Sequence, residues 1–143
     1  MNNKLNEILP PFVNLGVLGL NLGVQGMQFT ATSTVAENQV LSNSMYVHSI
    51  PNNNDNQDIV SMGANSALLA AKVINNSFEV ISIHIIAILQ AVDYLKVANK
   101  LSPKTKGIFE KLRNIVPMFV EDDIRYPDIQ NMKDYIFSNP VEL

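Results

Sequence analysis

The decisive stretch is residues 64–100, ANSALLAAKVINNSFEVISIHIIAILQAVDYLKVANK, which contains neither glycine nor proline. Alanine, leucine, isoleucine, lysine and valine dominate it, so one continuous helix is the economical reading. Ahead of it, Asn56-Gln57-Asp58-Ile59-Val60-Ser61-Met62-Gly63 is a polar loop that runs straight into the helical stretch. Asp58 fits as the helix N-cap, its carboxylate accepting from the first free N–H groups and opposing the positive end of the macrodipole. The helix expected over about 58–99 would then be roughly 60 Å long at ~1.5 Å per residue. That exceeds the width of an ordinary domain of this size.

Within this helix Ile81, Ile85, Ile88 and Val92 mark one apolar face, and Ile83, Ile86 and Leu89 add others. A helix with that pattern is wrapped on several sides. A competing strand over Val80–Ile86 fits the alternation of β-branched residues with Ser82 and His84, but helical spacing continues on both sides and favours the helix. His84, on so apolar a stretch, fits a packed, hydrogen-bonded core residue better than a ligand.

Working outward, Phe12 to Gly26 carries glycines at 16, 19, 23 and 26 among Leu and Val. It is too glycine-rich for a helix interior and too apolar for a solvated tail, so it is expected to pack against something. Met27 to about Leu41 has helical spacing, and residues 42–57 have turn chemistry with the tip Asn52-Asn53-Asn54-Asp55-Asn56. Residues 1–11 read as a short polar helix or coil ending at Pro10-Pro11. Downstream, Ser102-Pro103 is a good helix start, with Ile108, Leu112 and Ile115 on one face and Pro117 as the stop. Glu121-Asp122-Asp123 reads as a solvated acidic run, and Tyr126-Pro127-Asp128 starts a last helix to about Ser138. The fold class is all-α: a long central helix with flanking helices.

Composition narrows the partners. With 143 residues, 47% of them hydrophobic, the chain is long enough for one core. A net charge of −3 offers no basic stripe, so nucleic acid and anionic membrane are poor partners. There are no cysteines, hence no disulfides or thiolate metal sites. The N-terminus lacks the basic and apolar regions of a secretory signal, and a cytoplasmic location is expected. Val80 to Val92, thirteen residues without a formal charge, falls short of the ~20 needed to span a bilayer. His48 and His84 stand 36 residues apart with no carboxylate at ligand spacing, so no metal site is expected. No phosphate loop and no nucleophile elbow occurs. Asn56-Gln57 is a pair of neutral amides that suits either a helix cap or a ligand, and neither amide serves as a general base near pH 7.

Several ordered stretches carry a family resemblance: Leu9-Pro10-Pro11-Phe12, Gly23-Val24-Gln25-Gly26, Ala36-Glu37-Asn38, Ser49-Ile50-Pro51, the Asn56–Gly63 loop, Gln90-Ala91-Val92-Asp93, Ser102-Pro103 and Tyr126-Pro127-Asp128-Ile129. Together they resemble the C-terminal part of the aromatic amino acid ammonia-lyases and aminomutases, over nearly the whole chain. The resemblance implies that 1–143 is a C-terminal helical fragment, split subunit or gene remnant of such an enzyme, with an active-site loop at about 48–63. It implies that Gln57 lies close to the substrate, where histidine lyases commonly have an acidic residue and phenylalanine and tyrosine enzymes have glutamine. Asn56 shares that loop. Val24 matches a position beside the substrate ring, with simple packing as its equal alternative. Asn53 matches a position that is glutamate in many phenylalanine lyases, a departure. The pattern Gly23-x-x-Gly26-x-Gln28-Phe29 is closer to the tyrosine aminomutases than to the histidine lyases.

The family eliminates ammonia from histidine, phenylalanine or tyrosine with a methylidene-imidazolone group made from Ala-Ser-Gly, and no Ala-Ser-Gly occurs here. The resemblance therefore implies that this group, the tyrosine base and the carboxylate-binding arginine lie in an N-terminal portion outside this chain. No catalytic residue is expected in the chain alone, and the isolated chain is expected to be inactive. Implied partners are an aromatic amino acid and either further copies, whose long helices would bundle, or a complementary N-terminal portion. The competing reading is a non-catalytic helical assembly module or inert truncation product.

Overall fold

The structure, a computed structural model, describes residues 2–139; Met1 and residues 140–143 of the 1–143 domain lie outside it. Among the described residues there are five α-helices and no strand: α1 Asn3–Asn6, α2 Gln25–Leu41, α3 Gly63–Leu95, α4 Pro103–Ile115 and α5 Tyr126–Ser138. The competing strand over Val80–Ile86 is thus helix. α2 and α5 both pack on α3, and α4 packs on α5. The Thr34 hydroxyl donates to Glu79 and the Asn76 amide donates to Glu37 and Asn38, so α2 and α3 run antiparallel.

The all-α reading stands, and the central helix is shorter than the expected 58–99. It starts after Met62, which takes a left-handed φ of 51° without a side-chain cap, so Asp58 is not its N-cap. Asp58 instead lies in the paired stem of the preceding loop, where its carbonyl accepts the Ser49 hydroxyl. At the other end Lys96, φ 54°, caps the helix: its N–H donates to the Asp93 carbonyl at 3.0 Å, and Val97 N–H to the Val92 carbonyl at 3.2 Å. These are the two bonds of a Schellman stop, made here by a residue other than glycine. By length and composition alone α3 is apolar enough to cross a membrane. Its inner face is the core of this fold.

That core gathers Val13, Val24, Met27, Ile83, Ile86, Ala87, Leu89, Leu112, Val116, Phe119, Ile129 and Met132. The glycine-rich segment does pack, as expected. Val24 N–H donates to the Phe12 carbonyl at 3.0 Å, and a Cβ on Gly23 would come within 2.8 Å of that oxygen and of Asn14 Cα. With φ at +59° as well, position 23 accepts only glycine without strain. Ser102 caps α4, accepting from Thr105 N–H at 3.3 Å with Pro103 in the first turn. α4 ends at Ile115 just before Pro117, and α5 opens at Tyr126-Pro127.

Polar groups lock the far end of α3. Gln90, fully buried, donates to the Phe119 carbonyl at 2.8 Å and accepts from Arg113 at 3.0 Å. Arg113 also pairs with Asp93 and donates to the Val116 carbonyl. Burial pushes the Arg113 guanidinium down from its ordinary value, and the Asp93 carboxylate opposes that. The acidic run is exposed yet engaged: Glu121 accepts from Asn21 and Asp122 from Leu22 N–H, both at 3.0 Å.

Candidate active-site loop

Between α2 and α3 the chain makes a 3-10 turn, Met45–Val47, that touches α3, then a narrow antiparallel excursion. Asn52 and Gln57 exchange backbone bonds, Asn52 N–H to Gln57 carbonyl at 3.0 Å and the reverse at 3.3 Å. Four residues, Asn53 to Asn56, turn the chain between them, closed by Asn56 N–H to the Asn53 carbonyl at 3.2 Å. Asn53, Asn54 and Asp55 all lie in the left-handed region, at φ 52°, 55° and 64°. That geometry costs roughly 1–2 kcal/mol per L-residue, and asparagine and aspartate tolerate it because their short side chains bond locally. The asparagine-rich composition of the tip therefore has a backbone reason.

Asn53, Asn56 and Gln57 thus stand together, exposed, on one small turn. Val24 is not with them. It is fully buried at the start of α2, while the turn lies in the connection that leaves the other end of α2. Both histidines are exposed, and His84 is not the core residue expected: it stands on the outward stripe of α3 between Ile81 and Ile88, which are 48% and 50% exposed. The core side of α3 is the row Ile83, Ile86, Leu89 instead. Among the described residues no group of three His, Cys, Asp or Glu gathers to hold a metal.

A cleft of about 250 Å³ opens elsewhere, between the starts of α2 and α5, lined in part by Gly26, Thr30, Asp122, Arg125 and Tyr126. Its charged groups already serve the fold: Asp122 holds Leu22 N–H, and Arg125 pairs with Asp128 and lies 4.2 Å over the Phe119 ring. The loop is the better candidate because its amides are exposed and held by backbone rather than consumed by it. Ser49 belongs to the Ser49-Ile50-Pro51 stretch of the resemblance, which assigns it no role; here its hydroxyl accepts Val60 N–H at 2.9 Å and donates to the Asp58 carbonyl at 3.3 Å.

The model of the family described as aromatic amino acid lyase matches residues 1–114. The chain belongs to this family. It is 39% identical over 130 residues to the histidine ammonia-lyase of Geobacillus sp., covering 91% of this chain and 25% of that protein. It is 37% identical over 134 residues to the MIO-dependent tyrosine 2,3-aminomutase of Streptomyces globisporus, covering 94% and 25%. The crystal structure of tyrosine aminomutase from the same organism superposes with a TM-score of 0.89 at 37% identity, covering 94% of this chain and 26% of that one. The chain spans about a quarter of the length of the relatives it matches. The all-α architecture around one long helix is that of the aromatic amino acid lyase family.

Proposed function

We propose that this chain is the C-terminal, loop-bearing portion of an ammonia-lyase or aminomutase acting on an aromatic L-amino acid. The observation that carries this is the turn that holds Asn53, Asn56 and Gln57 out from the helical body, in a chain of this family. Asn56 and Gln57 bind and orient the substrate by amide hydrogen bonds, and Asn53 lines the same edge. Val24, fully buried at the other end of α2, stands apart from this edge and contributes only as packing behind the ring wall. The chain has no Ala-Ser-Gly and so does not supply the methylidene-imidazolone electrophile, which a complementary N-terminal portion provides. The isolated chain is inactive.

Assembly follows from α3. Ile74, Ile81, Ile88 and Leu95 recur every seven residues and are 55%, 48%, 50% and 39% exposed. Such a stripe is a helix-pairing seam, and it supports association with further copies or with the complementary portion. The same stripe favours the second reading, a helical assembly element without catalysis. The working location is the cytoplasm.

Co-expression with a family N-terminal portion containing Ala-Ser-Gly tests both. Ammonia release or β-amino acid formation from tyrosine or phenylalanine, exceeding that from histidine, is expected. Ammonia release by the purified chain alone would overturn the proposal. Stable association without any turnover favours the assembly reading.

A further inference from the structure

We propose that Ser49 is the positioning residue for the Asn56–Gln57 edge, a role that rests on the reading of this loop as substrate-facing. The tip is locally unfavourable: three successive residues, Asn53 to Asp55, sit in the left-handed region. Such a turn keeps its shape only if its stem holds it. The stem has one reciprocal backbone pair, Asn52 with Gln57, directly at the tip. Below that pair the Ser49 side chain joins the two arms of the loop. The Ser49 hydroxyl accepts Val60 N–H at 2.9 Å and donates to the Asp58 carbonyl at 3.3 Å, so a single oxygen bridges both sides of the residue following Asp58.

Gln57 is the neighbour of Asp58, and its own N–H and carbonyl are committed to Asn52. The direction of its side chain therefore follows the stem. Ser49, Asp58 and Gln57 are all exposed, so little else packs on this part of the loop. Alanine at position 49 removes donor and acceptor together, whereas threonine keeps the hydroxyl. A purely structural serine would alter folding stability, and a positioning serine alters how well substrate is held.

The test has two arms. In the chain itself, amide exchange followed by NMR is expected to be about twofold to tenfold faster at Val60 in Ser49→Ala, the loss of one net hydrogen bond. Ser49→Thr restores it, and the amides of α3 do not change. Unchanged exchange at Val60 overturns the proposal. In the chain assembled with a complementary N-terminal portion, Ser49→Ala is expected to raise KM for tyrosine or phenylalanine severalfold with a smaller change in kcat, and Ser49→Thr to recover it. Gln57→Ala separates the two levels of argument. If Gln57→Ala raises KM and Ser49→Ala does not, the positioning role is wrong. If Gln57→Ala changes neither KM nor kcat, the loop does not face substrate and the role of Ser49 falls with it.

Discussion

From Gly63 to Asn75, α3 carries no buried residue, whereas from Asn76 to Leu95 it places Ile83, Ile86, Ala87 and Leu89 in the core together with Ser82 and Gln90. Apolar residues occur in both halves, with Leu68 and Ile74 in the first as exposed as 71% and 55%. What differs is what reaches them. Phe119, Arg113 and Phe137 all meet the second half, while the first meets the end of α2 through polar contacts such as Glu37 with Lys72. Hydrophobicity along a helix thus states how much must be covered, not what covers it. Stability resides in the half far from the loop, and the proposed function is attached to the half near it.

The largest effect sharpens that division directly. Ile86→Ala, at a fully buried position, is expected to cost about 2–5 kcal/mol in urea denaturation of the chain diluted to a monomer, while Ile74→Ala, exposed in the monomer, stays within about 0.5 kcal/mol. Equal losses at the two positions would break the comparison. On the loop side, Gln57→Glu in the assembled enzyme is expected to move kcat/KM toward histidine by on the order of 1.5–3 kcal/mol, because a carboxylate can pair with imidazole where a neutral amide cannot. The urea midpoint of the isolated chain should not move. If histidine is already the preferred substrate before the substitution, the reading of this position fails.

Next in size is Gln90→Ala, which leaves the Phe119 carbonyl and an Arg113 nitrogen short of partners. About 1–3 kcal/mol of stability should be lost, measured by the same titration. The smallest effect lies at the junction of the halves. Lys72 and then Asn76, by hydrogen bonding, hold the Glu37 carboxyl below the ordinary glutamate range, with slight desolvation opposing them. A lowered folded-state value means a contribution fully present above the ordinary range and lost as pH falls through the lowered one. Glu37 is exposed, so this contribution is small and screened by salt. Glu37→Gln should flatten the acid limb of the stability profile slightly. An unchanged acid limb would remove Glu37 from the interface.

The helix starts marked by proline were legible: Ser102-Pro103 opens α4 with a side-chain cap and a fixed φ, and Tyr126-Pro127 opens α5 with the fixed φ alone. Both ends of α3 were not, because Met62 and Lys96 adopt left-handed backbone that no glycine announces. Asp58 illustrates the same limit, being a good cap by type but held in the loop stem by Ser49. The loop could be located from its amides and turn residues. Which face of α3 turns inward could not, since isoleucines occupy both, and His84 followed the outward one.

One further consequence comes from the bonds between Asn21 and Glu121 and between Leu22 and Asp122, each joining residues one hundred positions apart. The core around Ile83 and Ile86 is likewise finished by Leu112, Phe119, Ile129 and Met132. During synthesis, α2 and α3 emerge from the ribosome before the residues of α4 and α5 that complete their cover. Until residue 132 has cleared the exit tunnel, the nascent chain therefore exposes the side of α3 that α5 will cover, a surface of the kind that chaperones shield.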